Sequence, residues 1–314
     1  MPVRTPAERL LIRLEWQVLR RLEGILAGSY RTNARGTGTD LAGLREYVEG
    51  DDARHSDWNV TAWLNEPTLR LFTEDRELTV WLVLDCSASM TVGAPGRGKN
   101  DVLSELALAL ARLFGRAGNR VGAVLYDTGA ARAVPPGTGR VHALRIGAQL
   151  AKTAAATARS GRTTDLAAML DAVAKLARRR SLIVVISDFI GDGDWERSLL
   201  RLAPRHEVVV LRVTDPADDE LPDAGLVVVE DAETGEQLII DSGDPLLRDR
   251  LRDAVGERDT RLAAGTRRAG VPVHRIDTGA DLATALIEVV MSTRRRQLPP
   301  GARPPQTPPA GRGL

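Results

Sequence analysis

A chain of 314 residues, 43% of them apolar, has room for one large α/β domain with an appendage, or for two modest domains. Its formal net charge of +1 gives no electrostatic drive toward nucleic acid or a membrane surface, so neither is expected as a partner. The single cysteine, Cys86, excludes an intramolecular disulfide framework and fits a reducing compartment. No apolar run approaches the ~20 residues that cross a bilayer. The charges scattered through "AERLLIRLEWQVLRRLEGILAG" are unlike a signal peptide, and the expected location is the cytoplasm.

In chain order, residues 6–27 read as an amphipathic helix, with Leu11, Leu14, Val18, Leu22 and Ile25 at helical spacing. "GSYRTNARGTGTD" (28–40) reads as a loop by composition. "TLRLFTEDRELTVWLVLD" holds two strand candidates around a polar "TEDRE". From residue 78 strands and helices alternate. The strands are "LTVWLVLD", "RVGAVLYD", "SLIVVISDF", "HEVVVLRVTD" and "VPVHRIDT"; helical patterns fall over 99–117, 141–155, 164–180, 194–203, 244–269 and 280–296. Several strands are apolar on both faces, which suits a central sheet covered by helices on each side. The expected fold is therefore α/β, a doubly wound, mostly parallel sheet, preceded by an N-terminal helix and a small β-containing segment. "GLVVVEDAETGEQLIID" (225–241) reads as an antiparallel hairpin turning at Thr234-Gly235, an edge decoration. The expected organisation is 1–76, 77–296 and a Pro-rich, disordered tail over 297–314.

Ligands in such sheets gather at the carboxyl ends of the strands. The first strand of the alternating run delivers Asp85, Ser87 and Ser89; "GRTTD" delivers Thr163, Thr164 and Asp165; "VISDF" delivers Asp188. Carboxylates and hydroxyls without His or Cys suit a hard cation, Mg²⁺ or another such as Mn²⁺. Ser87 and Ser89, two apart in extended chain, can point to one side, with Asp85 behind them. A rival reading uses "GAPGRGKN", Gly93 to Asn100, a near match to the phosphate-loop pattern. It would make the chain a nucleotide hydrolase working through Lys99 and Asp188. Against it, Asn100 lacks the hydroxyl that pattern supplies, and "SASMTV" separates the loop from its strand. His55, His142, His206 and His274 show no metal-ligand spacing, and Ser87 lies in no G-x-S-x-G elbow. Cys86 reads as a packed small hydrophobe.

The D-x-S-x-S of "DCSAS" resembles the metal-ion-dependent adhesion site of von Willebrand factor A domains. The resemblance implies metal ligation by Asp85, Ser87 and Ser89, by Thr164 from a second loop (Thr163 remaining open), and by Asp188 from a third. "REYVEGDDARHSDWNVTAW" (45–63) resembles the signature of the bacterial family known as domain of unknown function 58 (DUF58), at Arg45, Tyr47, Gly50, Asp51, Arg54, Asp57 and Trp58. Ser56 and Trp63 depart from it. Taken alone, Gly50 to Asp52 and Asp57-Trp58 read first as structural: a turn, an Asp–Arg pairing and a buried ring. The resemblance implies a non-catalytic, Mg²⁺-dependent protein-interaction module. Its partner would supply an acidic side chain to the metal, and a MoxR-type AAA+ ATPase is the implied companion in chaperone-like assembly or maturation of other proteins.

Overall fold

The computed structural model describes residues 35–47, 61, 67–73, 78–91, 96–116, 118–127, 130–156, 163–219, 223–232 and 234–297. The expected helix over 6–27, most of the 45–63 signature, the 76/77 boundary and the tail beyond 297 lie outside them.

Strand β1 (Arg35–Glu46) pairs antiparallel with β2 (Thr68–Thr73) in a two-stranded sheet of its own. Residues 35–40, read from composition as loop, therefore lie in a strand. Pairing with β2 overrides the Gly and Thr content there, and the register is irregular, with Arg35 and Asp40 both set against Thr73.

The main sheet is built from β3 (Thr79–Asp85), β4 (Arg120–Asp127), β5 (Ala130–Gly137), β6 (Leu182–Ser187), β7 (Glu207–Thr214) and β10 (Val273–Asp277). The spatial order is β10-β7-β6-β3-β4-β5, parallel except for β5. Helices α1 (Lys99–Arg116), α2 (Gly139–Ala156), α3 (Leu166–Leu176), α4 (Trp195–Leu202), α5 (Pro245–Ala269) and α6 (Leu282–Gln297) cover its two faces. The period-2 geometry of β3 divides the core. Val80, Leu82 and Leu84 pack into the cluster shared with α1, α2 and α6. Trp81 and Val83 pack into the cluster shared with α3, α4 and α5. This is the expected doubly wound α/β fold.

The five strands picked out from sequence all form: β3, β4, β6 and β7 are largely apolar and buried on both faces, whereas β10 is an edge strand held by pairing with β7, with Ile276 buried and Arg275 exposed. Strand β5, "AARAVPPG", is not among the strands picked out from sequence. It is an edge strand paired only with β4, where Pro135 and Pro136 are tolerated. The hairpin over 225–241 forms as β8 (Leu226–Glu230) and β9 (Gln237–Asp241), with Gly235 at φ 75° in the turn. It is a separate two-stranded sheet and does not extend an edge of the main one.

Chain order in the sheet fixes where a site can form. From β3 the chain winds outward through β4 and β5, then returns to lay β6 on the other side of β3 and winds away through β7 and β10. The adjacent ends of β3 and β6 are thus a topological switch point, where the chain leaves the two strands in opposite directions along the sheet.

Gly122 of β4 sits beside Trp81 in register, and a Cβ there would meet the Trp81 ring at 2.8 and 2.9 Å. Gly122→Ala should lower stability by about 1–3 kcal/mol in urea unfolding, crowding outweighing the smaller gain from a stiffer unfolded chain.

Candidate metal centre

Asp85, Ser87, Ser89 and Asp188 lie at the tips of β3 and β6. Asp85 ends β3 and is fully buried. Its Oδ1 accepts from the Ser87 backbone N–H at 3.0 Å, the local turn that an Asp favours where a strand breaks. Its Oδ2 accepts from the Ser187 hydroxyl at 2.6 Å, reaching across to the last residue of β6. Ser187 also accepts from the Phe189 N–H at 2.9 Å, so one hydroxyl ties the two strand ends together. Beyond Asp85 the chain bends into a 3-10 turn, Ser89–Thr91, which brings the Ser87 and Ser89 hydroxyl oxygens to 2.9 Å of each other. Both side chains are buried.

Asp188 follows β6 and is buried; its Oδ1 accepts from the Ile190 N–H at 3.0 Å. Phe189 next to it holds a positive φ of 57°, and among the described residues it alone does so without being glycine. That left-handed conformation costs about 1–2 kcal/mol. The Phe189 ring offsets it by packing edge-on against Trp195, centroids 5.5 Å apart.

Thr164 comes in with the second loop. Its carbonyl accepts from the Asp192 N–H at 2.9 Å, and the Leu166 N–H returns to the Asp192 carbonyl at 3.2 Å. A Cβ on Gly191 would run into the Thr164 carbonyl oxygen, so glycine is needed for the close approach. Asp165 then caps α3, accepting from the Ala168 N–H at 2.9 Å. Thr164 is fully buried, whereas the exposed Thr163 donates its hydroxyl to Asp192 at 2.6 Å. That bond ties Thr163 into the loop lacing, and Thr164 is the buried one of the two.

The structure therefore gathers Asp85, Ser87, Ser89 and Asp188 at one switch point and laces the Thr164 loop onto the Asp188 loop through backbone. Among the described residues no group of three or more His, Cys, Asp and Glu forms a metal cluster. The candidate set holds two carboxylates and three hydroxyls, and hard oxygen donors of this kind fit Mg²⁺ or Mn²⁺. The electrostatics fit as well. Burial pushes the Asp85 carboxyl up to about 7, and the Asp188 charge adds to the rise, against hydrogen bonds from Ser187 and Ser87. Two buried carboxylates that repel each other are relieved by a divalent ion. Burial also raises the Cys86 thiol well above its usual range, which keeps it an inert core group.

Lys99 has a place that sequence reasoning did not foresee. It is fully buried at the start of α1, and its Nζ donates to Asp188 Oδ2 at 2.9 Å and to Asp218 at 2.8 and 3.0 Å. Burial alone would lower its pKa, but Asp188 and Asp218 outweigh burial and hold it above its ordinary value as an ammonium. A phosphate-loop lysine points its charge at phosphates; this one spends it on two carboxylates, which speaks against the nucleotide reading. Asp218 lies in a 3-10 turn, Pro216–Asp218, and Ser187 is one residue before Asp188. Neither stood out, because their roles depend on contacts across the sheet.

The family described as "Protein of unknown function DUF58" matches residues 43–261. The chain belongs to the DUF58 family. An uncharacterized protein of Mycobacterium tuberculosis is 39% identical to this DUF58 chain over 285 residues, covering 91% of it and 89% of the relative. An uncharacterized Mycobacterium avium protein is 40% identical over 153 residues, 48% of this chain and 89% of that protein. Among solved structures, an aerotolerance-related membrane protein of Bacteroides fragilis aligns with TM-score 0.46 and 15% identity, over 70% of this chain and all (100%) of that one. BatB of Bacteroides thetaiotaomicron aligns with TM-score 0.44 and 17% identity, over the same 70% and 100%. Both structural likenesses are distant.

Lys99→Ala leaves Asp188 and Asp218 without their counter-charge and should cost about 3–5 kcal/mol in urea unfolding. Lys99→Arg should recover part of the loss, because an ammonium site this enclosed accepts a guanidinium only with strain.

Proposed function

We propose that this DUF58 chain is a non-catalytic, divalent-cation-dependent protein-interaction module, with Asp85, Ser87, Ser89, Thr164 and Asp188 holding Mg²⁺ or Mn²⁺. The observation that carries the reading is the paired Ser87 and Ser89 hydroxyls, 2.9 Å apart, at the same switch point as the buried Asp85 and Asp188. The hydroxyls offer neutral oxygens for direct ligation, while the carboxylates provide charge and acceptors for bound water. A cation held there supplies positive charge next to Ser89, the least buried of the five residues, and a partner's Asp or Glu that reaches it changes from a repelled group into a ligand.

The partner in this reading is a protein offering one acidic side chain, and by family resemblance a MoxR-type AAA+ ATPase in chaperone-like assembly. The place of action is the cytoplasm, consistent with a lone buried thiol; among the described residues no helix is long and apolar enough to cross a membrane. Nucleotide hydrolysis is disfavoured because Lys99 is already paired with Asp188 and Asp218.

The test is calorimetric titration of the full chain with Mn²⁺, in the presence of a Glu-containing peptide that completes the shell. Asp85→Ala should weaken metal binding at least ~100-fold, the loss of a charged ligand being worth about 3 kcal/mol. ATP should give no heat with either protein. ATP binding abolished by Lys99→Ala would replace this reading with the nucleotide one.

A further inference from the structure

We propose that Lys99 is a built-in cation that competes with the divalent ion for Asp188, and that Asp218 sets how strongly it competes. The inference rests on the metal reading above and concerns the strength of that site.

A lysine ammonium has three donors. Here all three have partners: Asp188 Oδ2 at 2.9 Å, and the two oxygens of Asp218 at 3.0 and 2.8 Å. The other Asp188 oxygen accepts from Ile190 N–H, so both of its oxygens already carry a donor. Lys99 also opens an 18-residue helix, the end where the helix dipole disfavours a cation. Complete burial compounds that cost. A charge placed against both local preferences is held by its tertiary partners, and those are the candidate metal ligand Asp188 and the neighbouring Asp218.

A divalent ion that uses Asp188 comes within a few ångströms of this ammonium, in a site too enclosed for water or salt to screen the repulsion. Asp218 moderates the repulsion by drawing the ammonium's charge toward itself with two contacts against one. The isolated protein is thereby left with a weakened cation site, and an incoming carboxylate from a partner restores the missing negative charge. Metal and partner then bind in concert, each raising the affinity of the other.

The experiment measures Mn²⁺ affinity by electron paramagnetic resonance on the full chain at fixed pH and ionic strength, with circular dichroism to check folding. Lys99→Met combined with Asp218→Asn removes the ammonium without stranding Asp218 as a buried charge. It should bind Mn²⁺ about tenfold more tightly than wild type. Asp218→Asn alone leaves the Lys99 charge facing Asp188 and should weaken binding by roughly threefold or more. This single variant keeps the test decisive should the double variant misfold. A double variant within about twofold of wild type, or an Asp218→Asn that tightens binding, overturns the inference while the metal reading stands. If neither wild type nor the double variant binds Mn²⁺, both fall.

Discussion

Two carboxylates, Asp85 and Asp188, are buried at the ends of adjacent parallel strands, and most of the chemistry around them compensates that burial. Ser187 and the Ser87 backbone satisfy Asp85; Ile190 N–H and Lys99 satisfy Asp188. Lys99 is itself admissible only because Asp218 shares its charge. The compensation is incomplete, since Asp85 is still pushed up to about 7 by burial and by its neighbour. Residual like-charge repulsion in a buried oxygen-lined site is the physical reason for expecting a cation.

The scaffold makes this arrangement affordable. Strands β3 and β6 are apolar on both faces and are clamped between helices, so their tips are held by the whole core. The loops that carry Asp188 and Thr164 are tied by two backbone hydrogen bonds through Asp192 and by the close approach at Gly191. Rigid strand ends and laced loops fix the positions of the oxygen-bearing residues relative to one another.

Much of this was legible in the sequence where local pattern decides structure. The "LTVWLVLD" and "SLIVVISDF" runs read as buried strands, and their alternation with helices argued for the doubly wound sheet that forms. The spacing of Ser87 and Ser89 allowed their hydroxyls to share a side, but they meet through a bend and a 3-10 turn and not in the extended chain expected. Where partners come from far along the chain, local pattern failed. Residues 35–40 became strand because β2 lies beside them, and β5 formed despite two prolines because an edge strand has one side free. Lys99 entered the sequence reading only through a rival phosphate-loop pattern in its flanking glycines, whereas its partners sit 89 and 119 residues away.

The central claim is that one divalent cation sits at the meeting of the β3 and β6 tips. The most direct measurement is anomalous diffraction from crystals of the full chain grown with Mn²⁺. The expected result is a single strong peak roughly 2.1 Å from the Ser87 and Ser89 hydroxyl oxygens, with Asp85 and Asp188 close around it. A peak elsewhere on the molecule, or none at saturating Mn²⁺, would contradict the account.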